Sequence, residues 1–223
     1  MNSPIVETVT DPAEAAAVAE VAATTFPLAC PPHSKPEDIA AHIENLLSPQ
    51  RFVDYIADPA KQVLVVRDGA GAVLGYALLV YGRPDNDDAL AAVESADGGA
   101  EALRAGAVAE VSKMYVLPDH HASRNETRPA HALMRACIDA AHDHGAEYIW
   151  LGVNELNERA QKYYRKNGLR PDRNQDVRYE RRRGTRPCDG SEGLSRRTGA
   201  YASASAKRER ASRREVARRY FLR

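Results

Sequence analysis

Hydrophobic positions alternate between two spacings along the first 170 residues, and beyond them the pattern fades. "PIVETV" (4–9) has the length and composition of a short strand. "DPAEAAAVAEVAATTF" (11–26) predicts a helix, with Asp11 as N-cap and Pro12 at the first position, where no N–H is needed. "PPHSKPEDIAAHIENLL" (31–47) repeats that logic: Ser34 is the expected cap, Pro36 follows, and Ile39, Ile43 and Leu46 share one helical face. "QVLVVRD" (62–68) and "AVLGYALLVYG" (72–82) are strands joined by "GAG", a hairpin. Residues 83–107 are a polar, acidic connection, expected as a long loop or a loop with a short helix. "AEVSKMYVL" (109–117) is a strand that Pro118 helps to end. "AHALMRACIDAAHDHG" (130–145) is an amphipathic helix with Leu133, Cys137 and Ala141 on one face, and Gly145 closes it. "YIWLGVN" (148–154) reads as a buried strand and "ERAQKYYRKNG" (158–168) as a helix ending at Gly168.

The order β-α-α-β-β-β-α-β-α predicts a mixed α/β (α+β) domain over residues 1–170. A sheet ending at "YIWLGV" would leave an apolar edge, so further strand should follow. In residues 171–223 only "DVRYE" alternates, and briefly. The sheet is therefore expected to lack its last strands, and 171–223 to form a disordered Arg-rich tail with a basic helix near 206–221.

Charge sharpens that division. The chain holds 31 basic and 31 acidic residues, yet 171–223 carries sixteen basic against seven acidic. The tail is thus about +9 and residues 1–170 about −9. Three scattered cysteines, Cys30, Cys137 and Cys188, form neither a disulfide framework nor a zinc spacing. The N-terminal stretch carries acids where a signal peptide would carry bases, and no run approaches about 18 apolar residues. A reducing cytoplasm is the expected compartment, with no metal and no membrane partner.

Alternation along 109–117 puts Glu110, Ser112, Met114 and Val116 on one face and Val111, Lys113, Tyr115 and Leu117 on the other. A strand followed by a loop and an open helix N-terminus is a natural seat for pyrophosphate, because unpaired N–H groups and the helix dipole both favour an anion. Three stretches, "AEVSKMYVLPDHH", "AHALMRACIDAAHDHGAEYIWLGVN" and "NERAQKYYRKNGLR", resemble the GNAT superfamily of N-acetyltransferases. The resemblance covers roughly residues 4–170 and is strongest over 109–170. It implies the GNAT acyl-CoA N-acyltransferase fold and an enzyme that moves acetyl from acetyl-CoA to a primary amine. It further implies that the backbone of Met114, Tyr115 and Val116 pairs with the pantetheine arm. His121 would stand near the start of the pyrophosphate loop, Ala130 beside the following helix, and Asn157 at a cofactor-contacting position. Glu110 matches a common general base, and Tyr164 the tyrosine that protonates the departing thiolate. Each has a plainer role as well: Glu110 as a solvated strand residue, Tyr164 as core packing, Asn157 as an N-cap.

The middle departs from that pattern. Where the family carries glycines in its pyrophosphate loop, this chain has "ASRNETRP" (122–129), about four residues longer and without glycine. Glycine lets such a loop bring amides against phosphate at positive φ. Arg124 and Arg128 offer charge instead, and weakened cofactor binding is the expectation. Both this segment and the tail are rich in Arg, Ser and Pro, as out-of-frame translation of a GC-rich gene would be. The alternatives are a catalytically impaired GNAT-fold remnant or binding module and, less favoured, a nucleic-acid-binding basic tail. Phe26, Pro27 and Cys30 fall where the family shapes its acceptor pocket. Nothing names the acceptor, and a homodimer is left open by the uncovered strand edge.

Overall fold

The computed structural model describes residues 4–31, 33–120, 129–154, 157–171 and 217–222. The strands are β1 (Ile5–Thr8), β2 (Lys61–Arg67), β3 (Val73–Tyr81), β4 (Val108–Val116), β5 (Tyr148–Asn154), β6 (Arg170–Pro171) and β7 (Ala217–Leu222). The helices are α1 (Ala15–Ala29), α2 (Pro36–Leu46), α3 (Pro49–Ala57), α4 (Asp87–Ser95), α5 (Gly99–Ala105), α6 (Pro129–Asp143) and α7 (Glu158–Lys166). The described strands form one sheet in the order β1-β2-β3-β4-β5-β7-β6. All neighbours are antiparallel except β4 and β5, which run parallel.

Both sheet faces are covered, which is why β2 and β3 read as nearly unbroken apolar runs. Leu64, Val66, Ala77 and Leu79 point into a core closed by α6. Val63, Val65, Tyr76 and Leu78 point the other way, under α1 and α3. A third, smaller cluster forms where α4 and α5 cover Val108, Tyr148 and Trp150. The β2–β3 turn is set by Asp68, whose Oδ1 accepts from Ala70 N and Ala72 N at 2.9 Å each. Gly71 completes it at φ 89°.

Several expectations are corrected here. The sheet does not lack its last strands: β7 pairs with β5 from Ile149↔Leu222 to Asn154↔Ala217, and β6 pairs with β7. Its backbone covers the edge that "YIWLGV" would have exposed, and it replaces the expected basic helix over 217–222. The remainder of the expected tail, 172–216, lies outside the described residues. The 83–107 connection contains two helices, α4 and α5; Asn86 caps the first by accepting from Asp88 N and Ala89 N. A nine-residue helix, α3, was unforeseen. It buries Phe52 and Tyr55. Helix α2 begins at Pro36 with Lys35, not Ser34, in the N-cap position and with no side-chain cap bond.

Candidate active site

The β4–β5 ladder holds only three residue pairs, Val108↔Tyr148, Ala109↔Ile149 and Glu110↔Trp150. Beyond them β4 runs on to Val116 against β3, and β5 runs on to Asn154 against β7, but the two no longer pair with each other. Two parallel strands that part in this way leave a gap between them, the candidate cleft. Helix α6 starts at Pro129, and its second residue, Ala130, packs on the same core as Met114 of β4. A strand edge and a helix N-terminus together suit an extended chain that ends in a phosphate group.

A bulge in β4 decides what faces the cleft. Leu78 pairs with Lys113 and Leu79 with Val111, so Ser112 is the extra residue. The slip reverses part of the expected alternation. Ala109 and Val111 lie in the α6-side core, as do Val116 and Met114, whereas Tyr115 and Leu117 pack under α1 and α3. Glu110, between Ala109 and Val111, therefore shares the α1 side with Tyr115 and not the side of Met114 and Val116, where alternation alone had put it. Its register partners agree, since Val80 belongs to the α1-side cluster and Trp150 to the α4–α5 cluster.

Tyr164 and Ala130 stand across the sheet from Glu110, against the α6-side core with Met114. Burial, and secondarily Cys137, pushes the Tyr164 phenol up to about 12. Asn157 caps α7, its Oδ1 accepting from Ala160 N at 3.0 Å. Tyr115 stacks on Tyr76 and meets Phe26 edge-on, so its side chain belongs to the packing and its backbone to the cleft. His121, Arg124 and Arg128 lie outside the described residues.

The α1-side face of β4 packs against aromatic rings. Phe26 stacks on His42 with centroids 4.1 Å apart, and the Lys113 ammonium sits 5.6 Å from the Tyr55 ring centroid. Burial, with Lys113 adding to it, lowers His42 to about 4 and keeps the imidazole neutral. Pro27 lies within α1, and Cys30 Sγ donates to Phe26 O at 3.4 Å. The Trp150 indole N–H, beside Glu110 in the register, is buried and meets no hydrogen-bond partner among the described residues.

Two features escaped sequence reasoning. The bulge at Ser112 leaves no mark in composition. The Tyr163 hydroxyl donates to Ala130 O at 2.6 Å, a contact 33 positions apart that no local pattern announces. Among the described residues no helix is long and apolar enough to cross a membrane, and no group of three His, Cys, Asp or Glu is placed to hold a metal.

Residues 22–169 match the model of the Acetyltransferase (GNAT) family. A protein of Mycobacterium bovis described as an uncharacterized N-acetyltransferase is 40% identical over 153 residues, covering 69% of this chain and 81% of its own. Counterparts in Mycobacterium tuberculosis align with the same identity and coverage. Among solved structures, the PaiA N-acetyltransferase of Thermoplasma acidophilum in complex with coenzyme A superposes with a TM-score of 0.58 at 14% identity, covering 76% of this chain and 91% of its own. A GNAT-family acetyltransferase of Staphylococcus aureus superposes at 0.51 with 12% identity, covering 79% and 90%. At such identities the structures establish the shared fold.

Proposed function

The chain belongs to the GNAT family of acetyltransferases, and from that premise we propose that it moves an acetyl group from acetyl-CoA to a primary amine of a small molecule or protein. The family uses acetyl-CoA, which supplies an acetyl group activated as a thioester. The observation that carries this function is the parting of β4 and β5 beyond Glu110 and Trp150, with Ala130 of the first α6 turn on the core that Met114 of β4 also joins.

Each residue then has a task. The β4 backbone at Met114, Tyr115 and Val116 orients the pantetheine arm as an added strand would. Ala130 and its neighbouring α6 amides, with His121 before them, receive the pyrophosphate. Asn157 contacts the cofactor from the start of α7 while capping that helix.

Glu110 acts from the α1 side. A primary ammonium titrates near 10 and must lose its proton before it can attack, so a carboxylate at the cleft removes the largest obstacle. Backbone N–H groups of β4 stabilise the oxyanion that attack creates. Tyr164 acts from the α6 side. Its raised pKa keeps the phenol protonated at neutral pH, as a hydrogen-bond donor to the departing sulfur more than a strong acid. Base and acid thus stand on opposite faces, and the reacting carbon belongs between them.

The test is a calorimetric titration of acetyl-CoA into the folded 223-residue chain, followed by thiol release across a panel of amines. Micromolar affinity with amine-dependent thiol release supports the proposal. Failure of the folded chain to bind acetyl-CoA refutes it and leaves the family resemblance as ancestry.

A further inference from the structure

We infer that Tyr163 is a positioning residue: its hydroxyl ties the first turn of α6 to α7, and so holds the anion-binding helix end in register with Tyr164. The inference rests on the acetyl-CoA function proposed above.

The tie is the 2.6 Å hydrogen bond from the Tyr163 hydroxyl to Ala130 O. Ala130 is the second residue of α6, in the turn whose amides would meet the pyrophosphate. Inside a helix that carbonyl already serves the amide four residues on. The phenol takes its second lone pair and restrains the turn from outside the helix. Such restraint matters here because helix ends fray, and Pro129 ahead of Ala130 brings no N–H of its own.

The other end of the tie is equally fixed. Asn167 Nδ2 donates to Tyr163 O at 2.9 Å, and the amides of Asn167 and Leu169 donate to Tyr164 O at 3.0 and 3.1 Å. The Tyr163 and Tyr164 rings meet at 67° with centroids 5.6 Å apart, so displacement of one is felt by the other. Burial, followed by Tyr164 and Cys137, pushes the Tyr163 phenol well above its usual value, so it stays a donor at any working pH. Packing alone would be met by phenylalanine; the hydroxyl adds the contact to Ala130 and a side-chain hydrogen bond with Asn167.

Tyr163→Phe removes that hydroxyl and keeps the ring. Release of Ala130 from this tie predicts about three- to tenfold weaker acetyl-CoA binding by calorimetry. The KM for acetyl-CoA should rise in parallel while kcat stays within about twofold. S-acetylpantetheine, which lacks the pyrophosphate, should retain its kcat/KM, an outcome that general loosening of the fold would not give. With no cofactor present, amide exchange in the first turn of α6 should quicken. Unchanged acetyl-CoA affinity together with unchanged exchange overturns the inference and leaves the acetyl-CoA function standing. Absence of acetyl-CoA binding by the unmutated chain overturns that function and the inference with it.

Discussion

At Gly75 the sheet is tighter than any side chain would allow. A Cβ there would lie 2.6 Å from Tyr115 O and 2.8 Å from Val116 Cγ2, both on the strand proposed to carry the cofactor. Gly75→Ala must push β4 away from β3, an overpacking cost of about 1–3 kcal/mol. Thermal unfolding should show the loss, with weaker acetyl-CoA binding beside it; a variant as stable as the parent would mean that the strands separate freely. His42 governs a pH effect. Its free value is near 6.5 and its folded value about 4, so between those limits the unfolded chain takes a proton that the native one refuses. Stability is therefore full above pH 6.5 and declines as pH falls toward 4, by on the order of 2–3 kcal/mol. His42→Phe keeps a ring against Phe26 and should flatten this decline; parallel curves for variant and parent would refute the assignment. For the chemistry, Glu110→Gln and Tyr164→Phe should each lower kcat by about a hundredfold, with acetyl-CoA affinity held within twofold.

Among the elements, α7 and β4 contribute most to the proposed site. Asn157 has two roles that mutation can separate. Asn157→Ala should lose about 1 kcal/mol of stability with the cap. Asn157→Asp keeps a capping oxygen, so its melting temperature should hold while acetyl-CoA binding weakens several-fold beside an anionic cofactor. Equal affinity in the Asp variant would leave Asn157 as a cap alone. In β4, the bulge at Ser112 re-aims the strand midway along its length. It puts Glu110 on the α1 side while leaving Met114 and Val116 toward α6, a division that a regular strand could not make.

At the scale of the molecule, the last strand closes the sheet. Without β7, the β5 edge from Ile149 to Asn154 would lose its ladder partner. Deleting residues 217–223 should therefore lower the melting temperature and promote association through that edge, measurable by light scattering. A deletion variant as stable and monodisperse as the full chain would show that β7 contributes nothing. The homodimer that an uncovered β5 edge left open loses that support.

The local sequence determined what short-range physics determines. Apolar spacing disclosed α1, α6, α7 and the runs of β2, β3, β4 and β5, because burial of one face or both writes a period into each segment. The stretches around Glu110, Asn157 and Tyr164 carried the family resemblance for the same reason: the residues of each stretch lie close together along the chain. Three decisions belonged to the tertiary structure. Whether Glu110 and Met114 share a face depended on one extra residue opposite Leu78 and Leu79, which alternation cannot register. Whether the basic C-terminus joined the sheet depended on β5 offering it a vacant edge across about sixty residues of chain. That Tyr163 reaches Ala130 depended on α6 and α7 packing together, since a hydrogen bond 33 positions long has no spacing to betray it.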